Sequence, residues 1–178
     1  MAERRSNDDE LLLSEWACLG ILHAGAAHGF AVAALLRPEA DVGRVWSLSR
    51  ALTYRALDQL SARGLVHPVA TEPGIAGGDR TVLGITRSGR TRFRKWVTTP
   101  TEHLRDLRSE FLLKMVLAER SGIDTTPLVS AQTQLAEEHV ARLDAVLDSD
   151  HGADAVALWR SETAHAALRF LRRLGSTQ

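Results

Sequence analysis

The chain has 178 residues, 44% of them hydrophobic, which suffices for one large domain or two small ones with an apolar core. Its 22 basic and 22 acidic residues cancel, so whole-chain electrostatics give no argument for a polyanionic partner. The single cysteine, Cys18, excludes an internal disulfide and fits a reducing cytoplasm, the expected location.

Residues 1–10 read as a polar flexible arm that lacks the apolar stretch of a signal peptide; Arg4 and Arg5 lie on it. From Trp16 to Leu36 no residue is charged over 21 positions, a length that could span a membrane. Gly20, Gly25, Gly29, His23 and His28 interrupt this run, so it reads as two packed helices, Leu12–Ala24 and His28–Leu36, with no membrane partner. Cys18 falls on the apolar first helix, where a buried, inert thiol is expected. Val42–Trp46 leads to a third helix and is expected to add a short strand.

That third helix, Arg50–Arg63, has Ser49 placed to cap it and Gly64 placed to stop it. Thr53, Ala56, Leu57 and Leu60 recur at helical spacing as an apolar stripe, leaving Arg50, Tyr54, Arg55 and Asp58 mostly off it. Leu65–Ala70 and Thr81–Thr86 are β-prone runs around a Gly/Pro-rich connection, residues 71–80, which puts Arg80 at a hairpin tip. Helix, turn, basic helix and hairpin follow in the order of a winged helix-turn-helix, whose second helix suits a DNA major groove. Thr86 is placed to cap a fourth helix reaching Val97, with Phe93 and Trp96 inward and Arg87, Arg90, Arg92, Arg94 and Lys95 mainly solvated. Residues 98–101 break it.

The remainder reads as helical: Leu107–Arg120, a helix opened by Thr126 as cap with Pro127 and running to Leu147, and Ala153–Leu174. Val156, Trp159, Thr163, Ala166, Phe170 and Leu174 form a stripe on the last helix. A helical hairpin joined by residues 148–152 is short of partners within one chain, so that stripe is assigned to a homodimer interface. The competing reading is that the first domain covers it. The expected domains are a flexible arm at 1–10, a winged helix-turn-helix at 11–98 and a helical dimerisation domain at 99–178. From Arg44 to Lys95 ten basic residues face three acidic ones, whereas residues 101–178 hold nine against twelve. A basic module joined to an acidic one fits a DNA reader with a protein-facing domain.

No phosphate-cradling glycine loop, zinc-type Cys/His spacing or nucleophile elbow occurs, and no carboxylate pair has a catalytic setting. His139, near an apolar face, and His165, near Glu162, read as packed or surface residues. Neither an enzyme, a cofactor nor a metal is expected.

Leu19-Gly20-Ile21-Leu22, His28-Gly29-Phe30 and Trp46-Ser47-Leu48-Ser49, with Tyr54 and Leu57, then carry a resemblance. Gly64-Leu65-Val66, Thr86-Arg87-Ser88-Gly89-Arg90, Trp96 and Glu110-Phe111-Leu112-Leu113-Lys114 extend it over roughly residues 11–174. In order and spacing these resemble the PadR family of bacterial transcriptional regulators. The resemblance implies a mainly α fold with a small β-hairpin wing, a winged helix-turn-helix plus a C-terminal helical domain. It also implies a dimeric repressor, often effector-responsive, on double-stranded operator DNA with an inverted repeat. The DNA-binding candidates are Arg44, Ser47, Ser49, Arg50, Leu52, Tyr54, Arg55 and Arg80. Many family members have a glycine near Ala51 and a tyrosine near Leu83, so base contacts do not transfer unchanged. Effectors such as phenolic acids can occupy a cavity between wing domain and helical tail in such proteins. Trp16, Trp96, Arg108, Phe111 and Trp159 are the candidates here for a small-molecule effector. The alternative is a winged-helix protein-interaction module without an operator; Arg50, Arg55 and Arg80 favour the DNA reader.

Overall fold

The computed structural model describes residues 10–73, 78–148 and 154–177. The expected arm with Arg4 and Arg5, the hairpin tip at 74–77 and most of the turn at 148–152 lie outside the described residues. The chain divides between Trp96 and Val97 into two compact units. The first contains α1 (Leu13–Ala24), β1 (Ala27–His28), α2 (Gly29–Leu35), α3 (Arg50–Ala62), β2 (Val66–Pro73) and β3 (Asp79–Ile85). The helix α4 (Arg87–Thr98) runs through the division.

Apolar α1 is buried from Trp16 to Leu22 and packs on α3 and β3. Beside it, Glu15 is almost wholly buried: its Oε2 accepts the Leu12 N–H at 2.7 Å and its Oε1 lies 3.9 Å from Arg63 Nη2. Those partners offset the cost of taking a carboxylate out of water, and they fasten the start of α1 to the end of α3. Cys18 is fully buried, and burial first, Glu15 second, push its thiol up to about 12. Among the described residues no helix is long and apolar enough to cross a membrane.

The sheet has the order β1-β3-β2 and is antiparallel, with Ala27 opposite Leu83 and His28 opposite Val82. Its third strand therefore comes from the expected break between the first two helices. At Val42–Trp46, where a short strand was expected, the chain turns instead: Gly43 N–H donates to the Leu35 carbonyl and Trp46 N–H to that of Val42. A Cβ on Gly43 would lie 1.7 Å from the Arg37 carbonyl oxygen, an approach too close for any other residue. Pro68 is tolerated because β2 is an edge strand. The strands run to Pro73 and Asp79, so Arg80 lies within β3 opposite Glu72 and not at the hairpin tip. Gly64, at φ 66°, ends α3 as expected. Thr86 Oγ1 accepts the Gly89 N–H at 3.0 Å, capping α4, and lies within donating distance of the Gly64 and Leu65 carbonyls.

The second unit has a 3-10 turn (Leu104–Asp106), a π turn (Leu107–Phe111), α5 (Leu112–Arg120), α6 (Thr126–Leu147) and α7 (Ala155–Gly175). The expected helix at Leu107 thus begins in π geometry. Thr126 lies inside α6, not at its cap: its N–H donates to Asp124 Oδ1 at 2.9 Å, and Pro127 occupies the first turn. Asp154 caps α7 by accepting the Ala157 N–H at 2.7 Å. The antiparallel pair α6 and α7 is bridged by Ser161 Oγ donating to Asp144 at 2.9 Å and, at the surface, by Arg172 donating to Glu137 at 2.8 Å. His165, on the side of α7 toward α6, has its Nε2 3.1 Å from Asp144 Oδ1. The Ser161 hydroxyl, then His165, hold the Asp144 carboxyl below its usual range. Phe111, Leu128, Val129, Ala136, Ala164, Leu168 and Leu171 form the core.

The segment entering this unit is held by two buried side chains. Gln132 Oε1 accepts the Thr101 N–H at 2.7 Å and its Nε2 donates to the Thr101 carbonyl at 3.0 Å. Lys114 Nζ donates to the Thr99 carbonyl at 2.7 Å and to Glu110. Burial lowers the Lys114 pKa, against the opposing pull of Glu110.

Gln132→Leu keeps the volume but orphans two buried backbone groups, and should lower stability by about 2–4 kcal/mol in urea unfolding. A loss near zero would show that water replaces the amide. Cys18 should resist a thiol reagent in the native chain and react on denaturation; rapid native labelling would mean that α1 opens readily.

Candidate nucleic-acid interface

The surface of α3 follows from what it buries. Thr53, Ala56, Leu57 and Leu60 face inward, which turns Arg50, Leu52, Tyr54, Arg55 and Asp58 outward. Ser49 Oγ accepts the Leu52 N–H at 3.3 Å, and Thr53 Oγ1 donates to the Ser49 carbonyl at 3.0 Å. The helix therefore starts at a fixed residue, and its basic first turn is held against fraying.

The expected DNA-binding residues all lie in the first unit. Ser49, Arg50, Leu52, Tyr54 and Arg55 share the amino-terminal half of α3, and each is exposed. Exposed Ser47 precedes them in the turn. Arg44 is also exposed, 4.0 Å from Asp41, a surface pair that contributes little. Half-buried Arg80 joins Arg50 and Tyr54 in lining a groove of about 470 Å³ bounded by α3, the start of α2 and β3. Asp58 and Asp79 line it too, placing two carboxylates beside the basic residues.

Sequence reasoning missed a second contributor. Phe30 is 44% exposed and its ring lies beneath the Arg50 guanidinium, 5.6 Å from centroid to Cζ; Tyr54 stands at the same distance. Gly29 packs against the Tyr54 ring, where a Cβ would come within 2.9 Å of Cε1. In the sequence His28-Gly29-Phe30 stood out as the opening of a helix and as part of the family resemblance, not as a neighbour of Arg50. An exposed aromatic beside a basic helix was the available signal.

The candidates outside this surface fall in two places. Trp16 and Trp96 stack in the first unit, centroids 4.7 Å apart and planes 5° from parallel. In the second unit, Arg108 and Trp159 line an open apolar groove of about 840 Å³ along α7, whereas Phe111 is buried beneath it, edge-on to Phe170. Trp159, Thr163, Ala166 and Phe170, four of the residues assigned to a dimer, line the same groove. Val156 is exposed nearby and Leu174 is half-buried at the other end of α7. The face of α7 packed on α6 is a different one, Ser161, Ala164, Leu168 and Leu171. Trp159, 71% exposed, is an apolar side chain that the described residues leave open to solvent.

No protein-family model matches the chain, and no curated protein matches it. Solved structures do. PadR of Bacillus subtilis in complex with operator DNA is 18% identical over 95% of this chain and 99% of that one, with a TM-score of 0.49. The same protein in complex with p-coumaric acid gives 16% identity, coverage of 93% and 98%, and a TM-score of 0.44. The Vibrio cholerae virulence activator AphA gives 21% identity, 92% of each chain and a TM-score of 0.42. A PadR-like transcriptional regulator of Bacillus cereus gives 18% identity, coverage of 97% and 99%, and a TM-score of 0.42.

Proposed function

We propose that this chain is a sequence-specific DNA-binding transcriptional regulator, a homodimeric repressor whose operator affinity answers to a small molecule. The observation that carries the reading is the first turn of α3, capped by Ser49 and displaying Arg50, Leu52, Tyr54 and Arg55 outward beside a β-hairpin. Such a turn fits the major groove, with Arg50 at base edges, Leu52 against a thymine methyl, and Tyr54 and Arg55 on phosphates. The hairpin, through Arg80, adds a contact to the backbone of the duplex. Binding to DNA upstream of the chain's own gene, in a gel shift with competitor, tests the reading; equal affinity for all duplexes would refute sequence specificity, and no binding to any duplex would leave the protein-interaction alternative.

The uncovered apolar face of α7 supplies the second part of the reading. A copy of the chain on that face buries Trp159 and Phe170 and generates a two-fold pair of α3 helices, which requires an inverted repeat with half-sites ~10 bp apart or a multiple of that. Arg108 and Trp159 lie in the groove with the dimer residues, so a ligand entering there acts where the copies meet. It lowers operator affinity by its preference between the two arrangements of the dimer, and by no more.

Arg50→Ala should cost ~1–3 kcal/mol on the operator and relax preference at one base position, while Arg80→Ala should weaken all duplexes alike and flatten the salt slope by ~1. Equal losses on operator and random DNA for Arg50→Ala would refute base reading. Phe170→Asp should give a monomer in light scattering and lose most operator affinity, because a charge would be buried at the interface. A Phe170→Asp chain that is still dimeric places the interface elsewhere.

A further inference from the structure

We propose that His28-Gly29-Phe30 is a specificity element, in which Phe30 holds the Arg50 guanidinium in one orientation for a guanine in the major groove. The inference rests on the DNA-reading function proposed above and names the residue outside α3 that sets its selectivity.

The Arg50 Cζ lies 5.6 Å from the centroid of Phe30 and 5.6 Å from that of Tyr54. Both distances fall within the range in which a ring quadrupole attracts a cation. Tyr54 follows Arg50 by one helical turn, so that contact is available to any helix carrying the pair. Phe30 comes from α2, and its contact exists only because α2 and α3 are packed together. The side chain is 44% exposed, so much of its ring stays at the surface where Arg50 reaches it.

Each residue of the tripeptide holds a different part of the arrangement. The backbone of His28 is paired to Val82 in β3, and its Nδ1 accepts the Ala31 N–H at 3.0 Å, which fixes the first turn of α2 against the wing. Gly29 lets the Tyr54 ring approach where a Cβ would stand 2.9 Å from Cε1. Phe30 then supplies the second ring to Arg50. Three consecutive residues so connect wing, α2 and α3 at the point where the basic side chain emerges.

A free arginine loses conformational entropy when a complex orders it. Contact with two rings removes part of that cost in advance for one orientation. Rings engage the guanidinium through their faces and leave N–H groups at its edge to donate to O6 and N7 of guanine, the bidentate pairing that distinguishes this base. The consequence is selectivity at one position, not general affinity.

The test selects duplexes from a randomised pool with the full-length wild-type chain, then compares Phe30→Leu, Phe30→Tyr, Arg50→Ala and the Phe30→Leu/Arg50→Ala double variant on the selected sequence and its single-base variants. Phe30→Leu should lower the preference for one guanine about three- to tenfold, with little change on random DNA. Phe30→Tyr, which keeps a ring, should restore that preference, and Phe30→Leu should add nothing once Arg50 is alanine. In the free protein, ring-current shifts of the Arg50 δ protons should move on Phe30→Leu while the thermal melt stays put. Unmoved Arg50 resonances, or a Phe30→Leu effect that persists without Arg50 or is equal on every duplex, would overturn the element alone. A wild-type chain that selects no sequence would overturn the regulator reading, and the selectivity role with it.

Discussion

The burial of Thr53, Ala56, Leu57 and Leu60 against α1 and α2 is the interaction on which the candidate interface depends. A helix turns about 100° per residue, so committing these four positions to the interior leaves no choice about which others face outward. Arg50, Leu52, Tyr54 and Arg55 are displayed because of what their neighbours bury. Arginine and tyrosine on that surface then owe their positions to a packed core, where a loop could not hold them as closely.

The unit around that helix is closed by contacts that each tie two elements. Glu15 joins the start of α1 to the end of α3, Thr86 joins the start of α4 to the turn after α3, and β1 joins the helix pair to the wing. In the second unit the same economy appears in Gln132 and Lys114, two buried polar side chains that hold the backbone of Thr101 and Thr99. Buried polar groups of this kind add little net stability when satisfied but are costly to orphan, so they specify one arrangement of the chain.

Much of this was legible in the sequence where the signal was local. The Ser49 cap, the Gly64 stop, the inward stripe of α3 and the Thr86 cap are decided by residues within one helical turn, and all are found as read. Long-range features escaped. Pairing of Ala27–His28 with β3 depends on residues more than fifty positions away, and two residues cannot announce a strand. Gly43 marks a tight turn, yet its closeness to Arg37 is visible only in the folded chain. On α7 the sequence shows a stripe with Trp159 and Phe170, whereas the stripe packed within the unit is the quieter Ser161, Ala164, Leu168 and Leu171. Phe30 escaped because its partner, Arg50, lies on a different helix.

If the first turn of α3 reads the major groove, methylation interference will register the contact guanine by guanine. Guanine N7 lies in the major groove, so dimethyl sulfate treatment of a selected duplex before binding places a methyl group where Arg50 would donate. Methylation at one guanine in each of two symmetric half-sites, ~10 bp apart or a multiple of that, should block binding. Binding indifferent to guanine N7 methylation, but blocked by methylation of adenine N3 in the minor groove, would contradict major-groove reading.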